Sequence, residues 1–77
     1  MLTVSLVIPC YNEEAVLPET ALRLQQILRG LMERDKISRQ SKIVFIDDGS
    51  KDRTWELIRE LHQNDPIYCG ISLAHNA

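Results

Sequence analysis

The chain has 77 residues, 44% of them hydrophobic, and a formal net charge of −2. This composition is typical of one small globular domain or part of one, and it excludes a disordered, collagen-like or disulfide-rich chain. The nearly balanced charge gives no basis for bulk attraction to nucleic acid or anionic lipid. Cys10 and Cys69 lack metal-ligand spacing, which favours two reduced thiols in a cytoplasmic protein. No apolar run is long enough for a signal sequence or a membrane span.

A strand pattern and a helix pattern open the chain. Residues 3–8 are nearly continuously apolar, which predicts a strand covered on both faces and ended by Pro9, because proline cannot donate to a ladder. Apolar residues then recur in steps of four and three, which predicts a helix from residues 14–18 to about Arg34. Asn12 is its expected cap, and Pro18 fits only in its first turn. The apolar stripe consists of Leu17, Ala21, Leu24, Leu28 and Leu31.

A second strand, a second helix and a third strand follow a polar loop at residues 35–42. Residues 42–47 contain the buried-strand pattern IVFI, and residues 48–50 read as a sharp turn. Ser50 or Asp52 is the expected cap of a helix that ends near residues 64–66. Its inward residues are predicted to be Trp55, Ile58 and Leu61. Alternation in residues 67–73 predicts a less buried strand, with Ile67, Cys69, Ile71 and Leu73 on one face.

The element order β-α-β-α-β predicts an α/β fold of three parallel strands with two helices, a Rossmann-like half domain. Right-handed crossovers place consecutive parallel strands side by side and pack the helices on the sheet. Ligands of such sheets bind outside the carboxyl ends of the strands. The polar segments 9–14 and 47–52 both fall at those ends, so we expect them to be neighbours in space.

Several nucleotide and metal motifs are absent from the sequence. No G-x-G-x-x-G follows the first strand, and no G-x-x-x-x-G-K-[ST] is present, which argues against a dinucleotide oxidoreductase and excludes a P-loop. Residues 47–49 (DDG) lack the ligand spacing and the closing glutamate of a calcium loop. The polar segments therefore belong to another kind of site.

Residues 4–14 (VSLVIPCYNEE) and residues 44–54 (VFIDDGSKDRT) together resemble the opening of the inverting glycosyltransferases of family two, which have the GT-A fold. The segment PCYNEE at residues 9–14, followed by Leu17-Pro18, most resembles the sequences of the branch that transfers a sugar from a nucleotide to a polyprenyl or dolichyl phosphate. The resemblance covers essentially the whole chain but only about the first third of a typical catalytic domain. It implies that residues 1–77 are the N-terminal nucleotide-binding portion of such a domain.

The resemblance also implies roles for four residues in binding the nucleotide sugar. Asp48 matches the second acid of the family's Asp-Asp pair, which reads the edge of the base; a carboxylate can accept the imide N–H of uracil or the two N–H groups of guanine. The alternative is a turn carboxylate that caps the next helix, which Asp47 fits better. Pro9 and Tyr11 match positions that line the base and ribose pocket. Glu13 matches a position near the nucleotide, or else is a first-turn acid favoured by the helix dipole.

The resemblance places the catalytic and metal-binding residues elsewhere. The family's Asp-x-Asp motif, which holds Mg²⁺ or Mn²⁺, and the general base for the acceptor are expected beyond Ala77. We therefore expect no catalytic residue and no metal ligand within residues 1–77, and no activity from these residues alone. His75 stands where many relatives have an arginine that reaches the donor, and a shorter, mostly neutral side chain fits that contact poorly.

The expected activity of the parent protein is transfer of a hexose from a UDP- or GDP-sugar, with a polyprenyl phosphate on the cytosolic membrane face as the acceptor. Two alternatives are a receiver-like regulatory module and a nucleotidyltransferase of similar fold. Receivers carry an acid pair after the first strand, and nucleotidyltransferases carry a glycine-rich basic loop there; neither is present. Self-association is also expected, because residues 3–8 would expose an unpaired apolar edge.

Overall fold

Three strands and two helices alternate along the chain in the computed structural model, which describes residues 1–73. The strands lie in the order β1-β2-β3, and both neighbouring pairs are parallel. This arrangement confirms the predicted Rossmann-like β-α-β-α-β fold. The elements are β1 (Ser5–Cys10), α1 (Leu17–Glu33), β2 (Lys42–Asp47), α2 (Thr54–Asn64) and β3 (Tyr68–Ser72).

The first strand continues through Pro9, where the sequence predicted its end. Pro9 pairs in register with Ile46, and Cys10 pairs with Asp47. The carbonyl groups of Val4 and Cys10 accept N–H groups from the β2 side, so the intervening odd-numbered residues turn their backbone groups away from β2. A proline in this position removes no ladder hydrogen bond. The strand therefore accommodates Pro9 and ends one residue later.

Both helices begin in ways that the sequence predicted only in part. The N-cap residue of α1 is Val16 and forms no side-chain cap, so the assignment of Asn12 as that cap is wrong; Pro18 does lie in the first turn. The N-cap residue of α2 is Arg53, so Ser50 is not that cap either. Asp52 still accepts the N–H of Thr54 at 2.9 Å, which satisfies one free amide of the first turn.

The core lies between the two helices and one face of the sheet. The Phe45 ring of β2 stacks on Tyr68 of β3 with centroids 6.1 Å apart. The Tyr68 hydroxyl donates to the Ala21 carbonyl of α1 at 2.9 Å, and Gly70 of β3 lies directly under Ile58 of α2. Two right-handed crossovers that advance in the same direction place both helices on the same side. Residues 1–73 therefore cover one face of the sheet.

The opposite face of the sheet is apolar and open within residues 1–73. Val7 of β1 is 53% exposed, and Ile71 of β3 is 46% exposed. The predicted alternation of β3 is confirmed, since Cys69 and Ile71 lie on this open face, whereas Tyr68 and Ser72 are buried on the helix side. The expectation that β1 is covered on both faces is not met by the described residues.

Residues 1–73 leave two edges of the sheet unpaired and contain no helix that could span a membrane. Within the described residues β1 and β3 are the edge strands, so the outer edge of β1 is unpaired there. Neither helix of residues 1–73 combines the length and the apolar character needed to cross a lipid bilayer.

Candidate functional site

The carboxyl ends of the three strands form one rim. The register aligns Cys10 of β1, Asp47 of β2 and Ser72 of β3. Beyond the paired strands, the Asp48 N–H donates to the Cys10 carbonyl at 3.0 Å, and the Leu73 N–H donates to the Asp47 carbonyl at 2.9 Å. The loops after β1 and β2 therefore leave the sheet side by side, which confirms the predicted convergence of the two polar segments.

Four hydrogen bonds, which we call the loop clamp, join residues 12–14 to residues 50–54. The Asn12 N–H donates to Ser50 Oγ at 2.8 Å, and the Lys51 N–H donates back to Asn12 Oδ1 at 2.8 Å. The other two bonds run from the Glu13 N–H to Thr54 Oγ1 at 2.8 Å and from the Glu14 N–H to Asp52 Oδ2 at 3.2 Å. Three amides of one loop thus find their partners on side chains of the other.

Two carboxylates support the hydroxyl groups of the loop clamp. The Ser50 hydroxyl donates to Asp47, whose side chain is buried, and the Ser50 N–H donates to the same Asp47 oxygen at 3.3 Å. The Thr54 hydroxyl donates to Asp52 at 2.6 Å, and this bond holds the pKa of Asp52 below its ordinary value. The Ser50 and Thr54 hydroxyl groups therefore each make two hydrogen bonds, donating to a carboxylate and accepting from a backbone N–H. Asp47 is a turn carboxylate, but it bonds Ser50 and not the first turn of α2.

The four predicted site residues lie on or beside this rim. Tyr11 directly follows β1 and is 53% exposed, and Asp48 directly follows β2 and is also exposed. Among residues 1–73 the Asp48 carboxylate has no hydrogen-bond or ion-pair partner. Pro9 is exposed near the end of β1, whereas Glu13 is half-buried and bound through its backbone. The rim thus presents one flat ring and one unpaired acceptor toward solvent.

The cysteines take no part in chemistry at this rim. Burial, together with the nearby carboxylates of Glu13 and Asp47, raises the pKa of the Cys10 thiol to about 11. The thiol therefore stays protonated at neutral pH and is a poor nucleophile. Cys10 and Cys69 are both free, as the sequence predicted.

Sequence reasoning missed the structural role of Asn12 and did not single out Thr54. Asn12 adopts a φ of 51°, in the left-handed region, and Gly49 adopts a φ of 78°. Asparagine is enriched in that region, which agrees with a turn at residues 11–12, but no local signal pointed to the bonds from Asn12 to Ser50 and Lys51. Ser72 was also passed over: its hydroxyl is buried on β3 and has no hydrogen-bond partner among the described residues.

Residues 1–73 contain no group of three or more His, Cys, Asp or Glu side chains arranged to hold a metal ion. The carboxylates of the rim are instead spread along the two loops. His75, which the sequence aligned with an arginine of many relatives, lies outside the described residues.

Comparison with known proteins gives a consistent result. The family model of Glycosyl transferase family 2 matches residues 5–77. The uncharacterized glycosyltransferase YkoT of Bacillus subtilis is 44% identical over 72 residues, which is 94% of this chain and 21% of that protein. An undecaprenyl-phosphate 4-deoxy-4-formamido-L-arabinose transferase of Pseudomonas paraeruginosa is 45% identical over 62 residues, covering 80% of this chain and 16% of that protein.

A third relative is a dolichol-phosphate mannosyltransferase of Pyrococcus furiosus, 41% identical over 64 residues, or 83% of this chain and 16% of that protein. The chain spans about a fifth of the length of the curated relatives that match it over the most residues. No solved structure is significantly similar to the chain.

Proposed function

The chain belongs to glycosyl transferase family 2, and from that membership we propose that it forms the donor-nucleotide part of a catalytic domain that transfers a hexose from a UDP- or GDP-sugar to a polyprenyl phosphate. The family match favours this activity over a receiver-like module and over a nucleotidyltransferase. The polyprenyl phosphate acceptor is supported by relatives named for transfer to undecaprenyl phosphate and dolichol phosphate.

One observation carries the proposal: Tyr11 and Asp48 emerge from adjacent strands at the same rim, and both are exposed. A nucleotide base needs a flat surface to lie against and a polar group to read its edge. The Tyr11 ring supplies the first and the unpaired Asp48 carboxylate supplies the second. Pro9, at the end of β1, and Glu13, at the start of the next loop, complete the nucleotide-sugar site in this proposal.

The charge of the rim bears on how the diphosphate is held. Its carboxylates outnumber its cations, and a nucleotide diphosphate is itself anionic, so the rim alone would repel it. We propose that a divalent cation, Mg²⁺ or Mn²⁺, is bound by residues outside 1–73 and neutralises this charge when present. The carboxylates are Glu13, Glu14, Asp47, Asp48 and Asp52, and the cations are Lys51 and Arg53.

The stereochemistry and the location follow from the proposed partners. Attack by an acceptor phosphate oxygen on the anomeric carbon forms the new C–O bond as the nucleoside diphosphate leaves from the opposite side, which inverts the configuration. A polyprenyl phosphate is membrane-embedded and nucleotide sugars are cytosolic, so the proposed enzyme works at the cytosolic membrane face. The same proposal places the general base for the acceptor outside residues 1–73.

The test is a transfer assay with the full-length protein. It is incubated with UDP- and GDP-hexoses labelled in the sugar, with undecaprenyl phosphate and with Mg²⁺ or Mn²⁺. We expect label to move into the lipid fraction with release of one nucleoside diphosphate per sugar, and only when the lipid is added. Absence of transfer from every donor, combined with no binding of UDP or GDP in calorimetry, would rule out the proposed function.

We further propose that residues 1–77, prepared alone, self-associate through the outer edge of β1. An unpaired apolar edge offers a row of free backbone groups to a second copy. Light scattering over increasing concentration should show an average mass above that of the monomer. A substitution of Val7 by lysine on this strand should lower that mass, because edge lysines disfavour strand addition. A monomer at every concentration would contradict the prediction.

A further inference from the structure

We propose that Asn12 is a positioning residue of the donor-nucleotide site, acting through the loop clamp on Tyr11 and Asp48. The inference rests on the proposed function, and it concerns a residue that does not itself touch the nucleotide. Asn12 takes part in the loop clamp both as donor and as acceptor, through its N–H to Ser50 and through its Oδ1 from Lys51. Its geometry therefore fixes two loops at once.

The backbone of Asn12 determines where the Tyr11 ring lies. Tyr11 and Asn12 directly follow the last paired residue of β1, Cys10. Asn12 has a φ of 51°, so the chain reverses there, and its N–H is held at 2.8 Å by Ser50. A residue with a β-carbon other than Asn or Asp adopts this conformation only with strain. The peptide that carries Tyr11 is therefore fixed on both sides.

The side chain of Asn12 determines where the turn carrying Asp48 lies. That turn is anchored at its start by the buried Asp47, which accepts from Ser50, and at its end by Lys51, whose N–H donates to Asn12 Oδ1 at 2.8 Å. Asp48 lies between these two anchors, beside Gly49. The Asp48 N–H also donates to the Cys10 carbonyl at 3.0 Å, so loss of the Asn12 acceptor releases the far end of the turn while its start stays attached to β1. We expect the Asp48 carboxylate to shift relative to Tyr11 as a result.

Binding of a nucleotide base requires the Tyr11 ring and the Asp48 carboxylate to be in place at the same time. A contact site tolerates displacements of only about 0.5 Å before its hydrogen bonds lengthen beyond their useful range. The two groups come from different loops, so their separation depends on bonds between the loops. The loop clamp supplies those bonds, and Asn12 contributes two of its four.

The test compares substitutions that separate the two functions of Asn12. Asn12→Gly keeps the left-handed backbone and removes the acceptor, whereas Asn12→Asp keeps both. In the full-length protein, titrated with UDP and with GDP in calorimetry, we expect Asn12→Gly to weaken binding about tenfold, the upper range for loss of one ordinary hydrogen bond. Asn12→Asp keeps the acceptor but adds a negative charge to an acidic rim, so at high ionic strength, where that charge is screened, it should bind the nucleotides within about twofold of the wild type. Asn64→Gly, at the exposed end of α2, is the matched control and should leave the affinities for UDP and GDP unchanged.

A second measurement separates positioning from a general loss of structure. In the Asp48→Ala background the Asn12→Gly substitution should cost much less than in the wild type, because it acts partly through Asp48. The KM of the donor should rise while the KM of the acceptor stays constant, and thermal unfolding should show that the variants are folded. Full additivity of the two substitutions, or failure of Asn12→Asp to restore binding at high ionic strength, would overturn the inference.

The inference and the proposed function fail differently. If the wild-type protein binds neither UDP nor GDP and transfers no labelled hexose, both are overturned. If the wild type binds and Asn12→Gly binds equally well, only the positioning role of Asn12 is overturned.

Discussion

Asp48→Ala is expected to weaken binding of the donor nucleotide by about 10- to 100-fold, the range for loss of hydrogen bonds to a charged group. The Asp48 carboxylate is exposed and has no partner within residues 1–73, so the variant loses no interaction that stabilises the described fold. Its effect should appear in nucleotide affinity and not in the temperature of unfolding. Calorimetric titration of UDP and GDP into the full-length protein measures the first, and thermal unfolding measures the second.

The direction of the change in nucleotide affinity distinguishes a specific contact of Asp48 with the base from the general electrostatic effect of the acidic rim. Several carboxylates surround the site, and an anionic nucleotide is repelled by them, so removal of an uninvolved acid would leave affinity unchanged or raise it. Glu56→Ala is the matched control: its carboxylate lies in the first turn of α2 and is paired with Arg53 at 3.1 Å on the surface. Such an exposed pair contributes little to stability. Tighter binding or unchanged binding in Asp48→Ala would remove Asp48 from the site.

The substitution Asp48→Asn distinguishes the two candidate donors. An amide keeps one acceptor oxygen but replaces the other with a donor. Uracil offers a single imide N–H, which one oxygen can accept. Guanine offers a ring N–H and an amino group, and one of these would face the new donor. We therefore expect Asp48→Asn to weaken GDP binding more than UDP binding.

Much of the fold was readable from the sequence because its main signals are periodic. The stripe of Leu17, Ala21 and Leu28 places α1 correctly, and those three side chains are buried in the structure. The run IVFI gives β2 its correct bounds. The β-α-β-α-β order then leaves parallel pairing as the only simple topology, because short right-handed crossovers connect neighbouring strands. The common rim followed from that topology.

The structural features that could not be predicted from the sequence depend on contacts between residues that are distant along the chain. Asn12 was assigned as a helix cap because it lies just before α1, whereas its partners Ser50 and Lys51 are far along the chain. The alternation of β3 identified the two faces of the strand, but it could not show which face the helices cover. Local patterns therefore predicted the rim where the two polar segments meet, and long-range hydrogen bonds determine how its loops are held.

Gly70→Ala is expected to lower the free energy of unfolding by about 1–3 kcal/mol, the usual cost of overpacking a close contact, here the one between α2 and β3. A β-carbon at Gly70 would clash with Cγ2 of Ile58 and lie 3.2 Å from Cζ3 of Trp55. Ile58 is buried, so relief of this clash requires either a rotation of its side chain or a shift of α2 against β3. The glycine is therefore required by the close approach of the helix to the strand.

Gly30→Ala is the matched control, because the same added methyl group makes only an ordinary van der Waals contact there. Gly30 lies inside α1, and the nearest atom to its β-carbon would be Arg34 Nη2 at 3.8 Å. An alanine in that position should raise stability by about 0.5–1 kcal/mol, since glycine disfavours a helix interior. Denaturant unfolding of the full-length protein and of both variants, followed by circular dichroism, shows whether each substitution raises or lowers the free energy of unfolding. Equal effects of the two substitutions would contradict the close packing of α2 on β3, on which the alignment of the loop clamp depends.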